Sequence, residues 1–395
     1  MRVLIVSQRY YPLVGGAERM VRALAAEFVR FGCDVRVVTA RFDRSWPTQE
    51  EIDGVPLTRL PLPTMRFVGT ACYVTALRHH LRTTAATYDL VYVSMLKHSA
   101  WAAVTACRSL GRPVVLRAEG AGQTGDVAWQ RKARFGRIIA AACRTADAII
   151  APSSLVRTEL LDAGYDAGRV HLIRNAVCCR MFRPPSPAER QAARLRWGLE
   201  GPVIGYIGRL APEKGLEELL AAWPEVRRRH RSATLLIAGG PPDAPAARCV
   251  GRLDGALYVG ELGDPRQMLH ALDFFVLPSR FEGISIALLE AMACGVVPLT
   301  SRIEGNCEVL GEPGHCGLMF RSGAPLELAE AVCEALESTV QQWNDWSEAA
   351  RRRVCELFNL EQNAQRHLEL FESLCAGHRA MHSGDRCPLR EAPEG

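Results

Sequence analysis

Twice along this chain a short apolar run leads into a glycine-bearing loop and then into a helix. The first instance is 2-RVLIV-6, followed by 7-SQRYYPLVGG-16 and a helix from Ala17. The second is 203-VIGYIG-208, followed by 209-RLAPEKG-215 and a further helix. A strand that feeds a helix and then a second strand, as 35-VRVVTA-40 does here, opens a doubly wound parallel sheet. Two such openings, at Arg2 and Val203 in a chain of 395 residues, predict two α/β domains rather than one enlarged core.

The rest of the chain fits that division. Strands are expected at 89-DLVYVS-94, 113-PVVLRA-118, 147-DAIIAPS-153 and 170-VHLIRN-175 in the first half. In the second they are expected at 233-ATLLIAG-239, 256-ALYVG-260, 273-DFFVLPS-279 and 296-VVPLTS-301. Between the halves, 183-RPPSPAERQAARLRWG-198 reads as a linker with a short helix. The expected division is a Rossmann-like domain over 1–182, a linker over 183–198 and a second Rossmann-like domain over 199–340. Helices over 341–375 are expected to pack back toward the first domain, and 376–395 reads as a disordered tail. In the first helix Met20, Leu24, Phe28 and Phe31 form an apolar stripe that Gly32 stops. A cleft between the two domains is the expected ligand site.

Composition narrows the class. No apolar run reaches the length of about 18 residues that a membrane helix needs. The N-terminus turns polar too soon for a signal peptide and reads as the first strand. The 14 cysteines are scattered without framework spacing and read as reduced, largely buried thiols, which points to a cytoplasmic protein. Net charge is +5 overall, but residues 1–180 carry +11 and the remainder −6. Basic residues gather at 78-RHHLR-82 and 129-WQRKARFGR-137. Such a half suits a phosphate-bearing acceptor, an anionic lipid face or nucleic acid; it suits a solvated surface equally well.

Three features carry chemistry. Gly15 and Gly16 precede a helix whose free N–H groups suit an anion, although Gly-Gly also serves as a plain turn. Arg209 and Lys214 lie five apart, between a strand end and a helix start, where both can reach one diphosphate. Lys214 is informative because the chain has only three lysines against 45 arginines, and a lysine supplies a compact point charge. The third is 279-SRFEGISIALLEAMACGVVPLT-300, which sets Glu282 and Glu290 eight apart in an otherwise apolar run. Buried carboxylates require partners: for Glu290 either a pair of ligand hydroxyls or the backbone.

Together the pair Glu282/Glu290, the run Gly208/Arg209/Lys214, the GGAE loop at Gly15–Glu18 and 175-NAV-177 resemble the GT-B retaining glycosyltransferases of the family 4 type, over most of residues 1–375. The resemblance implies a GT-B fold: two Rossmann-like domains facing across a cleft, acceptor side first and donor side second. It implies a metal-independent, retaining transfer from a nucleotide-diphosphate sugar to a glycan or lipid-linked acceptor, in polysaccharide or glycoconjugate biosynthesis. Arg209 and Lys214 would then hold the donor diphosphate and Glu282 the donor sugar, while Glu290 would hold the ribose hydroxyls. Gly283, Ile284 and Ser285 would approach sugar or phosphate through the backbone, the base would stack near Glu261 and Leu262, and Gly16 would reach the phosphate from the other domain. No cofactor, no metal and no nucleic-acid partner is implied; contact with the inner membrane face is left open.

The chain departs from the family pattern at two points. Many relatives carry a histidine where Glu119 stands, so Glu119 and the nearby His98 are the acceptor-side candidates. The usual NGVD run reads 175-NAVC-178. A metal held by Asp-x-Asp is not expected, since the sequence contains no such motif. The tail spaces Cys375, His378, His382 and Cys387 as zinc-type ligands, but in an order and composition unlike a zinc module. Alternatives on the same fold are a sugar-nucleotide epimerase, a sugar-phosphate synthase, or an inactive sugar-nucleotide binder. A nicotinamide dehydrogenase would need G-x-G-x-x-G after the first strand, and 12-PLVGGAE-18 lacks that spacing.

Overall fold

The computed structural model describes residues 1–13, 15–240 and 245–383. Its first sheet has eight strands: β1 (Arg2–Val6), β2 (Asp34–Arg41), β3 (Gln49–Ile52), β4 (Val55–Pro61), β5 (Leu90–Ser94), β6 (Val114–Arg117), β7 (Ala148–Ala151) and β8 (Val170–Leu172). Their order is β3-β4-β2-β1-β5-β6-β7-β8, parallel except for the β3–β4 pair. The second sheet holds β9 (Val203–Ile207), β10 (Thr234–Ala238), β11 (Ala256–Tyr258), β12 (Phe274–Leu277), β13 (Val297–Ser301) and β14 (Leu318–Phe320). It is ordered β11-β10-β9-β12-β13-β14 and is parallel throughout. Helices cover both faces of each sheet, which is why β5, β9 and β13 are buried at every residue and read as unbroken apolar runs.

The strand order reverses beside β1 in the first sheet and beside β9 in the second. Ligand crevices open at such switch points, outside the carboxyl ends of the strands. The helices that leave β1 and β12, Gly16–Arg30 and Ile286–Ala293, meet face to face there: a Cβ placed on Gly16 would stand 3.8 Å from Ile286 Cγ1.

The first helix buries Met20, Leu24 and Phe28, joined by Val21 and Ala25. Phe31 does not extend the stripe: it lies beyond the last helical residue, Arg30, and is 40% exposed. The linker contains the expected short helix, Pro187–Leu195, started by a capping box between Ser186 and Glu189.

The C-terminal helices divide between the domains instead of both returning to the first. Val340–Leu357 packs its Ala349, Ala350 and Val354 into the second core. The chain then crosses back, pairing Asn359 with Val177, and Leu360–Ser383 joins the first core. There Phe371 and His367 pack edge-to-face against each other and around Phe28 and Tyr92. This helix runs to Ser383, past the boundary expected at 375, because Cys375 is buried with the first core. Residues 384–395 lie outside the described residues, and so does most of the proposed tail.

No described helix is long and apolar enough to cross a membrane. The described cysteines are free; Cys107, Cys143, Cys294, Cys316, Cys333 and Cys375 are buried, while the others are partly buried or, at Cys249, exposed.

Candidate functional site

The loop after β12 carries the first carboxylate. Pro278 ends the strand, and Gly215 packs directly against it: a Cβ there would come within 2.0 Å of Pro278 O, and Gly215 has φ +67°. Only glycine meets both demands. This contact brings the single-turn helix Pro212–Lys214 beside 280-RFEGIS-285. Lys214 Nζ donates to both oxygens of Glu282, at 2.7 and 2.5 Å, and both side chains are nearly buried. The structure therefore joins Lys214 to Glu282 directly, a pairing that sequence spacing does not show.

Arg209 lies elsewhere. Its guanidinium donates to Glu213 at 2.7 Å and is 62% exposed. The helix that follows, Leu216–Arg229, has Glu217 and Glu218 in its first turn, and Glu218 already accepts from Arg280 at 2.7 Å. Its N-cap, Gly215, makes no side-chain capping bond, so the N–H groups at this end stay open beside Lys214. The ends of Gly16–Arg30 and Ile286–Ala293 are open as well. Their N-caps, Gly15 and Ser285, make no side-chain capping bond, so backbone N–H groups at both ends are free for a ligand.

Glu290 sits on the inner face of Ile286–Ala293, 3% exposed. One oxygen accepts from Arg19, which reaches across from the first domain; the other, Oε2, has no partner. Burial pushes its carboxyl up to about 7, against the pull of Arg19. An unpaired buried carboxylate oxygen costs free energy unless something bonds it.

Gly283, Ile284 and Ser285 form the connecting loop. It is held from behind by Glu304–Leu310, whose Gly305 lies so close that a Cβ would fall 1.9 Å from Gly283 O and 2.4 Å from Glu282 O. The loop also bridges the domains, since Ile284 O accepts from Asn175 Nδ2 at 2.7 Å. A second bridge runs from Glu308 to Ser154 and Arg174. Glu261 is exposed, with its side chain lying across Gly240, and Leu262 packs onto the second core.

In the first domain, Glu119 follows β6. It accepts from Arg117 and from Ser94 Oγ at 3.2 Å, and burial pushes its carboxyl up to about 7 against the effect of Arg117. His98 begins the helix His98–Cys107 and sets its ring edge-on to Trp129, 5.2 Å between centroids. Burial and then the neighbouring Lys97 lower its pKa, keeping it neutral near pH 7. A separate groove of about 790 Å³ behind the second domain, lined by Arg190, Asp273 and Trp343, contains none of these groups.

Arg19, Arg117 and Asn175 hold central places that local reading does not assign to them. Of the zinc-type ligands, Cys375 Sγ faces Asp89 O and His378 bonds Asp147 at 2.9 Å, which sets both against the first domain. The side chain of His382 and all of Cys387 lie outside the described residues. Among the described residues no cluster of three metal-ligating side chains occurs.

Two Rossmann-like domains meeting at facing strand ends define a GT-B enzyme, and comparison with known proteins specifies it. Residues 14–181 match the family Glycosyltransferase Family 4 and residues 201–338 match Glycosyl transferases group 1. The alpha-maltose-1-phosphate synthase of Mycolicibacterium smegmatis is 29% identical, over 95% of this chain and all of its own. A GDP-mannose-dependent alpha-(1-6)-phosphatidylinositol monomannoside mannosyltransferase of Mycobacterium tuberculosis is 32% identical, over 48% of this chain and 52% of its own. The structure of Anabaena HepE in complex with UDP-glucose superposes with a TM-score of 0.79 at 22% identity, covering 94% of this chain and 100% of that one. The chain belongs to the GT-B glycosyltransferases of the family 4 type. It is a glycosyltransferase that uses nucleotide sugars.

Proposed function

We propose that this protein is a retaining, metal-independent transferase that moves a hexosyl group from a nucleoside-diphosphate sugar to a glycan or lipid-linked acceptor. The observation that carries this reading is the paired Lys214–Glu282 beside two open helix ends. In transfer, the bond from the anomeric carbon to the diphosphate breaks while charge builds on the leaving phosphate. Lys214 and the free N–H groups after Gly15 and Ser285 meet that charge, with Arg209 swinging in from Glu213. Glu282, released from Lys214, bonds the sugar hydroxyls. Glu290 takes the ribose hydroxyls on its unpaired oxygen, and the base lies near Glu261 and Leu262. The acceptor oxygen bonds the anomeric carbon on the face the diphosphate leaves, and its proton passes to the departing phosphate oxygen. Glu119 and His98 orient the acceptor.

A panel of UDP- and GDP-sugars tests the donor half of this reading by thermal shift. A true donor at 100 times its dissociation constant stabilises the protein by about 2.7 kcal/mol. Turnover of the selected donor should survive EDTA. Loss restored by added Mg²⁺ or Mn²⁺ would overturn metal independence.

The lipid-linked acceptor is supported by a surface feature. Phe135 and Ile138 are more than half exposed and flanked by exposed Arg131, Lys132, Arg134 and Arg137. Trp129, in contrast, turns inward against His98. Each basic residue near an anionic leaflet contributes about 1 kcal/mol, and the exposed apolar pair adds burial. The protein should sediment with anionic vesicles at low salt and be released at high salt. A second reading, a free sugar phosphate as acceptor, is favoured by the relative matched along nearly the whole chain. Absence of vesicle binding would select it.

A further inference from the structure

Arg117, the last residue of β6, is 1% exposed. A guanidinium so deeply placed has to have its donors matched. One arm donates to Glu119 and the other to Asn175 Oδ1. Arginine only donates, so Asn175 must turn its oxygen to Arg117 and its amide nitrogen away. That nitrogen donates to Ile284 O at 2.7 Å, in the donor-side loop of the second domain. On the other flank, Ser94 Oγ donates to the same Glu119 oxygen at 3.2 Å, and Glu119 N donates to Asp126 Oδ2 at 2.7 Å. An unbroken line of hydrogen bonds therefore runs from the acceptor-side carboxylate, through a buried arginine and an amide, to the backbone that cradles the donor.

We propose that Arg117 and Asn175 are positioning residues that couple the setting of Glu119 to docking of the 283–285 loop, so that the acceptor group is set only when the two domains meet. Neither residue touches the reacting atoms; each acts through Glu119 or Ile284. The proposal rests on the reading of Glu119 as the group that orients the acceptor. The other bridge, from Arg174 to Glu308, spans the same gap with no contact to Glu119 and so provides an internal control.

The test is a double-mutant cycle on turnover, with UDP-glucose or GDP-mannose as donor, whichever the panel selects. Asn175→Ala should lower kcat about tenfold and leave the donor KM within about twofold. Added to Glu119→Gln, it should cost nothing further, because the carboxylate that the line positions is already gone. Arg174→Ala should instead multiply with Glu119→Gln. Multiplying losses for Asn175→Ala, or a loss confined to donor KM, would overturn the coupling. A second arm needs no substrate. Hydrogen exchange of the 280–285 segment in the free protein should quicken in Asn175→Ala and also in Arg117→Lys, which keeps the charge but cannot span both partners. Exchange at the wild-type rate in Arg117→Lys would refute the relay. Failure of every donor to turn over would instead remove the transfer reading, and the exchange arm would then decide the coupling alone.

Discussion

Lys214→Ala should reduce turnover by roughly 10²–10³-fold while the protein stays folded, the loss typical of removing one preorganised group that meets charge in a transition state. The structure places Lys214 directly on a candidate catalytic carboxylate, with Nζ 2.5 Å from Glu282 Oε2. In the free protein the pair is mutually satisfied. In the proposed transfer, donor binding would split it, giving the ammonium a phosphate and the carboxylate a sugar hydroxyl. Alanine removes the first and leaves Glu282 nearly buried without its cation, so donor KM should rise as well. Arg209→Ala should cost turnover in the same range, with less effect on the free protein, since Arg209 is exposed and held only by Glu213. Circular dichroism and thermal unfolding check the fold; steady-state rates check the rest. Lys214→Ala at wild-type turnover would remove the clamp from the mechanism.

The parallel sheets were legible because strands buried on both faces leave continuous apolar runs with glycine and helix signals between them. The missed elements lacked that mark. β3 reads QEEI and is an exposed edge strand. β4 carries Pro56 and Pro61, which its place between β3 and β2 tolerates at the strand ends. The pair had one usable signal, the Asp53-Gly54 turn, whose residues both adopt positive φ. β14 spans only three residues, too few for a pattern.

In the site, residues close in sequence were easier to read than residues close in space. Glu282, Glu290 and Lys214 stand out by local contrast, as charges in apolar or arginine-rich surroundings. Their partners do not. Arg19 meets Glu290 across 271 positions, and Asn175 meets Ile284 across 109. No periodicity connects such residues. Only the docking of two separately folded domains brings them together. The same limit hides the pair of Arg280 and Glu218, which closes across 62 positions.

Glu290→Gln should weaken donor binding by about 10- to 100-fold, the scale of about 1.5–3 kcal/mol for a hydrogen bond to a charged group. The amide keeps the shape but presents two N–H donors where the ribose hydroxyls require an acceptor. The effect should depend on pH. Burial raises this carboxyl to about 7 in the folded free protein, above its ordinary value near 4.5. Only the ionised form offers both oxygens, so wild-type donor affinity should climb as pH rises through about 7, while Glu290→Gln should show none of that rise. Stability should run the opposite way. A carboxyl whose folded pKa is raised contributes stability that is complete below the unfolded value, and this contribution is lost as pH rises through the folded value. The advantage of wild type over Glu290→Gln in melting temperature should therefore shrink between about pH 5 and pH 8. Glu119, raised to a similar value, titrates in both proteins and cancels in the comparison. Calorimetric titration of the selected donor at several pH values measures the first trend and thermal unfolding without donor measures the second. A wild-type affinity that stays flat across this range, or a Glu290→Gln protein that binds donor as tightly as wild type, would take Glu290 out of the nucleotide site.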